Sequence, residues 1–133
     1  YHDPYHAAID RCLGERLARG GDVVLLSIHS FTPHFRDEIR DMEVGVLFDD
    51  FEPVASRLAQ NFELAGFPSA LNEPYSGREG LMFAAARHGI AHGVIYLELE
   101  IRQDLIDTVQ KAQLVARRLA PAITKLAVRT RDR

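Results

Sequence analysis

The chain has 133 residues, of which 47% are hydrophobic and 26% are charged, as in an ordinary globular domain. Its formal net charge of -3 gives no excess of basic side chains, so no nucleic-acid partner is expected. No apolar run reaches the roughly 18 residues of a membrane-spanning helix. We expect a single cytoplasmic domain over residues 1–133, with the lone Cys12 buried as a small apolar residue.

The first predicted elements are a helix and a strand. Asp3 is placed as the helix N-cap and Pro4 at the first helical position, and the helix is expected to end at Gly20-Gly21. The aliphatic run Val23–Ile28 then has the length and composition of a strand buried on both faces. This strand is expected to stop at His29-Ser30.

The rest of the chain continues the alternation of strand and helix patterns. This alternation predicts an α/β fold with three layers, in which helices flank a mixed, mostly parallel sheet. Asp49-Asp50 is expected to cap a helix, and Pro121 to break or kink the last one. The further elements are a loop at 32–41, strands at 44–48 and 94–101, a short extended segment near 69–71, helices at about 51–65 and 79–88, a helical pattern from 104 to 121, and a shorter helix at 122–128.

Three polar segments are expected outside the carboxyl ends of strands, where α/β sheets usually carry their function. They are Ser27–Ser30, Asn72–Gly77 and Glu98–Arg102. A histidine that closes an aliphatic strand, as His29 does, can be presented to a metal ion. It can equally be a hydrogen-bonded histidine at a strand end, because buried polar groups generally find partners.

The carboxylates near the end of the third strong strand are more informative. Glu98 and Glu100 lie two residues apart, so in a strand they share one face while their aliphatic neighbours occupy the other. Two acids on one buried face are costly without partners. Either this face reaches solvent, or its carboxylates bind a metal, a base or a substrate. Arg102, on the same face, could hold a substrate carboxylate or neutralise an acid.

Two pairs of histidines are each spaced four residues apart, which on a helix places both rings of a pair on one side. Gly89 is expected to end the helix between the two members of the second pair. Zinc sites need three or four ligands, so neither pair is expected to bind a metal. The pairs are His2/His6 and His88/His92.

Taken together, five ordered segments resemble the N-formylglutamate amidohydrolase family, and the match extends from Asp3 to about Ile106. That family is similar in fold to the zinc carboxypeptidases, so the resemblance implies a zinc-carboxypeptidase-like architecture from which the N-terminal part is missing. The matching segments are Asp3–Ile9, Ser27–Pro33, Arg40 before Gly45–Leu47, Asn72–Gly77 and Glu98–Ile106.

The resemblance implies hydrolysis of N-formyl-L-glutamate, or of a similar N-acyl amino acid, to formate and glutamate, as in one route of histidine breakdown. It implies zinc as cofactor, His29 as a metal ligand and Glu100 as the base that shuttles a proton. Near Arg40 the sequence departs from the family, because Met42-Glu43 replaces an aromatic residue. The implied substrate-binding residues are Arg40, Asn72, Tyr75, Ser76 and Arg102.

At least two further zinc ligands, a histidine and an acid, are expected from a segment N-terminal to the matching part. The chain is therefore expected to be a fragment of a longer amidohydrolase, or a relative that has lost its metal, with an uncovered sheet edge. One alternative function is a carboxypeptidase- or deacylase-like hydrolase of another acylated amino acid. Another is a non-catalytic domain that binds a small molecule. The expected partner is a small-molecule substrate, and the oligomeric state stays open.

Overall fold

The computed structural model describes residues 2–130, with side chains as far as Leu126. Within this range none of the helices is long and apolar enough to cross a membrane. Short 3-10 helices cover Gly77–Glu79 and Gln103–Leu105. The helices are α1 (His2–Ala18), α2 (Glu52–Leu64), α3 (Phe83–His92) and α4 (Val109–Thr130), and the strands are β1 (Val24–Phe31), β2 (His34–Phe35), β3 (Glu38–Ile39), β4 (Val44–Leu47), β5 (Ser69–Leu71) and β6 (Ile95–Arg102).

The main sheet has four strands in the order β1-β6-β4-β5. β1 runs parallel to β6, β4 runs antiparallel to β6, and β5 runs parallel to β4. Helices α2 and α4 pack together on one face, and α3, with α1 against it, covers the other. The predicted α/β fold with a mixed, mostly parallel sheet between helices is therefore confirmed.

The prediction that the first strand is buried on both faces is wrong. β1 lies at the edge of the four-stranded sheet, with β6 as its only neighbour among the described strands. All of its residues except the buried Phe31 are half-buried or exposed, and Ile28 is 63% exposed. The predicted burial of Cys12 is also wrong. Cys12 is exposed and lines an apolar groove of about 580 Å³ between α1 and β1.

Two predicted helix caps differ from the structure. α1 begins at His2, so Asp3 lies within the first turn rather than at the N-cap. α2 has Phe51 as its N-cap, with a left-handed backbone (φ 64°) and no side-chain cap hydrogen bond. Asp50 contributes only by accepting a hydrogen bond from the Phe51 N–H at 2.8 Å. The partly buried side chain of Phe51 packs against the core.

The predicted loop at 32–41 contains a two-stranded hairpin, because β2 pairs antiparallel with β3. The helix predicted at 79–88 begins at Phe83 and continues past Gly89 to His92. A side chain at Gly89 would overlap the ring of Tyr96 on β6. Gly89 therefore allows α3 to lie close to the sheet, which is why this glycine does not end the helix.

The last helix also differs from its prediction. α4 begins at Val109, where the Thr108 hydroxyl accepts a hydrogen bond from the Lys111 N–H at 3.2 Å, rather than at Asp104. Pro121 lies inside α4 and does not end it. Proline removes one backbone hydrogen bond. The helix continues because apolar side chains on both sides of Pro121 are buried in the same core: Val115, Leu119, Ala122 and Leu126.

Candidate functional site

Four polar side chains of β1 and β6 share one face of the sheet. The parallel register pairs Ser27 with Glu98 and His29 with Glu100. Paired residues of neighbouring strands point to the same side, and residues two apart in a strand do so as well. The opposite face of β6 carries Ile95, Leu97, Leu99 and Ile101, which are buried in the core with α2 and α4. The predicted division of β6 into an acidic and an apolar face is confirmed.

His29, Glu98 and Glu100 converge at the centre of this face. The three side chains offer ligand atoms that all lie within 4.8 Å of one another. His29 Nε2 is 3.6 Å from Glu98 Oε2 and 3.0 Å from the Ser27 hydroxyl. Sequence reasoning placed Glu98 on the correct face and left open that it binds a metal, a base or a substrate, but did not count it among the site residues. Its contact with His29 depends on the pairing of β1 with β6.

Both carboxylates are withdrawn from solvent, since Glu98 is 5% and Glu100 is 4% exposed. The alternative of a solvated acidic face is therefore wrong. Burial raises the pKa of Glu98, and the nearby His29 opposes that shift. Burial likewise raises the pKa of Glu100, with Glu98 adding to the shift and His29 and Arg40 opposing it. Among the described residues, Glu100 Oε2 has no hydrogen-bond partner.

This donor set fits a divalent metal ion. An imidazole and carboxylates are the ligands that zinc binds in catalytic sites. A buried carboxylate oxygen without a partner is costly, and a cation or a proton donor would remove that cost. His29 is exposed on its outer side, with 54% of its side chain accessible, so the site opens to solvent there.

Arg40 lies on the same side of the sheet as Glu100, and its positive charge opposes the rise in the pKa of that carboxyl group. Its guanidinium carbon is 5.8 Å from the ring centre of Phe31, 5.1 Å from that of Phe35 and 5.6 Å from that of Tyr75. Nη1 donates a hydrogen bond of 3.2 Å to the Thr32 carbonyl oxygen. The rings and this hydrogen bond hold a cation next to the acidic face.

The segment Asn72–Gly77 reaches the site by a route that the sequence did not indicate. Because β5 runs antiparallel to β6, its carboxyl end points away from the end of the sheet where β1 and β6 finish. The expectation that all three polar segments follow strands at one end is therefore wrong. The segment turns back across β4, where a side chain at Gly45 would overlap the Glu73 carbonyl oxygen.

Within this segment, the side-chain oxygens of Asn72 and Ser76 are used to hold the backbone. Asn72 Oδ1 accepts hydrogen bonds from the Phe48 N–H at 2.9 Å and the Gly77 N–H at 3.1 Å. The Ser76 hydroxyl accepts one from the Arg78 N–H at 3.2 Å. Tyr75 differs, since its ring is 39% exposed and lies against Arg40. The substrate-binding role of all three stays a prediction.

The guanidinium group of Arg102 donates its hydrogen bonds to other residues of the same chain. Its Nε and Nη2 donate to the two carboxylate oxygens of Asp104 at 2.7 and 3.2 Å. Nη1 lies 3.1 Å from the carbonyl oxygens of Arg40 and Asp41 and 3.4 Å from that of Met42. This geometry favours the reading in which Arg102 neutralises an acid, and it ties the segment 40–42 to the end of β6.

A model of the protein family described as N-formylglutamate amidohydrolase matches residues 1–107. The chain is similar to the crystal structure of the gene product Atu2144 from Agrobacterium tumefaciens, with 28% sequence identity and a TM-score of 0.77 over 92% of this chain and 50% of that chain. It is also similar in fold to N-formylglutamate amidohydrolase from Ralstonia eutropha JMP134, with 21% identity and a TM-score of 0.72 over 99% of this chain and 52% of that chain. The chain thus spans about half the length of these two structures. No curated protein matches it.

Proposed function

Because the chain belongs to the N-formylglutamate amidohydrolase family, we propose that it supplies part of the active centre of a metal-dependent amide hydrolase. The proposed substrate is N-formyl-L-glutamate or a similar N-acyl amino acid, which is hydrolysed to formate and glutamate. The observation that carries the proposal is the convergence of His29, Glu98 and Glu100 within 4.8 Å on one face of the sheet.

In this proposal His29 and Glu98 hold zinc, and Glu100 stands beside them as the base. Zinc bound there would polarise the amide carbonyl and lower the pKa of water. Catalytic zinc sites commonly have three protein ligands, so His29 and Glu98 are two members of the set. The Ser27 hydroxyl, 3.0 Å from His29 Nε2, is placed to orient the imidazole before the metal binds.

Glu100 performs the proton transfer through Oε2, the oxygen that has no partner among the described residues. This oxygen accepts a proton from the water as the water oxygen attacks the carbonyl carbon and the C–O bond forms. It then delivers that proton to the amide nitrogen as the C–N bond breaks. Burial raises the pKa of Glu100, so this pKa lies closer to neutral pH and the carboxylate is a stronger base.

Arg40 provides the charge that a substrate carboxylate requires. The guanidinium group is held against Phe31, Phe35 and Tyr75, so it is already in position before substrate arrives. Only Nη1 among its nitrogens donates to a described partner, the carbonyl and hydroxyl oxygens of Thr32. A planar guanidinium with free N–H groups can receive a carboxylate through two parallel hydrogen bonds.

The test measures formate release from N-formyl-L-glutamate by the full-length protein, with and without a chelator. Glu100→Gln should lower kcat by about 10²- to 10⁴-fold, as expected for loss of a general base, while zinc content is retained. Glu98→Gln should reduce zinc content together with activity. Glu15→Gln is the matched control, since Glu15 is exposed on α1 and should change neither.

Two results would contradict the proposal. One is formate release that is insensitive to the chelator, and the other is near-normal turnover by Glu100→Gln. Substrate binding without turnover, unaffected by chelator, would instead favour the non-catalytic binding domain.

A further inference from the structure

A second group of histidine and aspartate side chains lies where α1 packs against α3, and none of its members belongs to the site above. α1 contributes His2, His6 and Asp10, and α3 contributes His88 and His92. The sequence presented two separate histidine pairs with too few ligands each. Packing of the two helices joins both pairs and adds a carboxylate.

Three of these side chains meet at one carboxylate oxygen. Asp10 Oδ1 lies 2.7 Å from His88 Nδ1 and 2.9 Å from His92 Nε2. Two imidazoles and one carboxylate are a donor set that zinc and neighbouring divalent transition metals bind. His88 and His92 are four residues apart on α3, so both rings project from the same side of one rigid element.

The exposure of the three residues determines how an ion would enter. The His88 side chain is 1% exposed and is held in place by the packing around it. Asp10 and His92 are 46% and 21% exposed, so they face solvent and have room to turn. The Asp10 oxygen now lies between the two nitrogens. Binding requires the Asp10 and His92 side chains to rotate until all three ligand atoms lie about 2 Å from a common centre.

His6 supplies the outer partner that metal-bound histidines usually have. Its Nδ1 is 2.7 Å from His88 Nε2, and its Nε2 is 3.1 Å from His2 Nε2. When His88 binds a metal through Nδ1, its proton resides on Nε2 and is donated to His6 Nδ1. Such a hydrogen bond fixes the tautomer and orientation of a ligating ring. In the metal-free arrangement His88 Nδ1 donates to the Asp10 carboxylate, so ligation through Nδ1 requires His88 to change tautomer, and the hydrogen bonds to His6 and His2 provide the path for that proton shift.

We propose that Asp10, His88 and His92 form a binding site for a divalent transition-metal ion, with zinc as the ion to be tested. The ion takes the place of the proton between His88 Nδ1 and Asp10; His88 then carries its proton on Nε2, and the proton of His6 shifts from Nδ1 to Nε2, towards His2. Bound metal links α1 to α3 across their interface. The site is independent of His29, Glu98 and Glu100 and does not require the proposed hydrolysis.

The test is zinc titration by calorimetry in the His29→Ala variant of the whole chain, so that the first site does not contribute. The expected result is one bound zinc per chain and a zinc-dependent rise in Tm. Adding His92→Ala or Asp10→Asn should remove this binding, and His6→Gln should weaken it about 10- to 100-fold through loss of the outer partner. Adding His34→Ala, which removes an exposed histidine of β2, is the matched control and should leave binding unchanged.

The proposal is overturned if the His29→Ala variant binds no zinc, or if His92→Ala and Asp10→Asn leave its zinc affinity unchanged. If the cluster only joins the two helices by hydrogen bonds, the substitutions should change the Tm by the same amount with and without zinc, and that result would also overturn the proposal. Cobalt substitution adds a second readout, because the visible spectrum of cobalt bound to the His29→Ala chain should be lost with His92→Ala.

Discussion

Gly45 and Glu100 are directly paired across the antiparallel strands β4 and β6, on the same face of the sheet. Because Gly45 has no side chain, the Glu73 carbonyl oxygen occupies the space beside the strand. The backbone of Glu73 can therefore lie directly against the backbone of Gly45, next to Glu100, the residue that we propose as the base. A single glycine thus connects the packing of a loop to the geometry of the candidate site.

Gly45→Ala should displace this segment and weaken the site. The added methyl group meets the Glu73 carbonyl, and such overpacking commonly costs about 1–3 kcal/mol. We expect a lower free energy of unfolding and a higher KM for the acylated amino acid. Gly14→Ala is the matched control, because nothing lies within 4 Å of its added methyl group on α1. Equal effects of the two substitutions in denaturant unfolding would contradict the prediction.

Glu100→Gln should stabilise the metal-free protein although it impairs catalysis. The pKa of Glu100 is raised by burial, so the folded state binds this proton more tightly than the unfolded state. Its contribution to stability is therefore lost as the pH rises from the unfolded pKa through the folded pKa. An uncharged amide does not suffer that loss.

Thermal unfolding in chelator, followed between about pH 4 and pH 8, tests this prediction. The gain in Tm of Glu100→Gln over the parent should grow with pH. Glu15→Gln, at an exposed position, is the control and should show no such trend. A Glu100→Gln protein less stable than the parent at the upper end of this range would refute it.

Arg40 and Arg102 should respond differently to substitution, although the sequence suggested the same role for both. Arg40→Ala should raise KM with little change in stability, because it removes the cation proposed to receive a carboxylate. Arg102→Ala should lower the free energy of unfolding by about 1–3 kcal/mol, since it leaves the carbonyl oxygens of residues 40–42 without their donor. Steady-state kinetics beside denaturant unfolding separates the two. A rise in KM without loss of stability in Arg102→Ala would restore its substrate-binding role.

Tyr96 should lose its phenolic proton at a higher pH than an exposed tyrosine does. Burial, together with the nearby carboxylate of Asp49, raises its pKa from the ordinary value of 10.0 to about 12. The folded state therefore holds the phenolic proton more tightly, and this contribution to stability disappears as the pH rises through about 12. The tyrosinate absorbance of the folded protein should show a step near this pH that Tyr96→Phe removes and Tyr5→Phe, at an exposed position, retains. Loss of the step in Tyr5→Phe alone would contradict the assignment.

Local sequence patterns were sufficient to predict the positions of several strands and helices. Aliphatic runs located β1, β4 and β6, and three- and four-residue spacing located α2, because these patterns reflect the side that each element buries. Strand alternation alone placed Glu98 and Glu100 on one face. Gly89 and Pro121 were misjudged as helix ends because their cost in an isolated helix is outweighed by packing, against Tyr96 in one case and the α2–α4 core in the other.

The sequence by itself placed His29 at the end of a strand and Glu98 and Glu100 on one face of another, and the resemblance to the family then singled out His29 and Glu100. Only the tertiary structure decided that Glu98 meets His29, that both carboxylates are buried, that Arg102 is occupied by its own chain, and that the Asn72–Gly77 segment crosses back over Gly45. The physical reason is that periodicity is local, whereas the direction and register of β1, β4 and β5 against β6 depend on contacts between residues far apart in the chain.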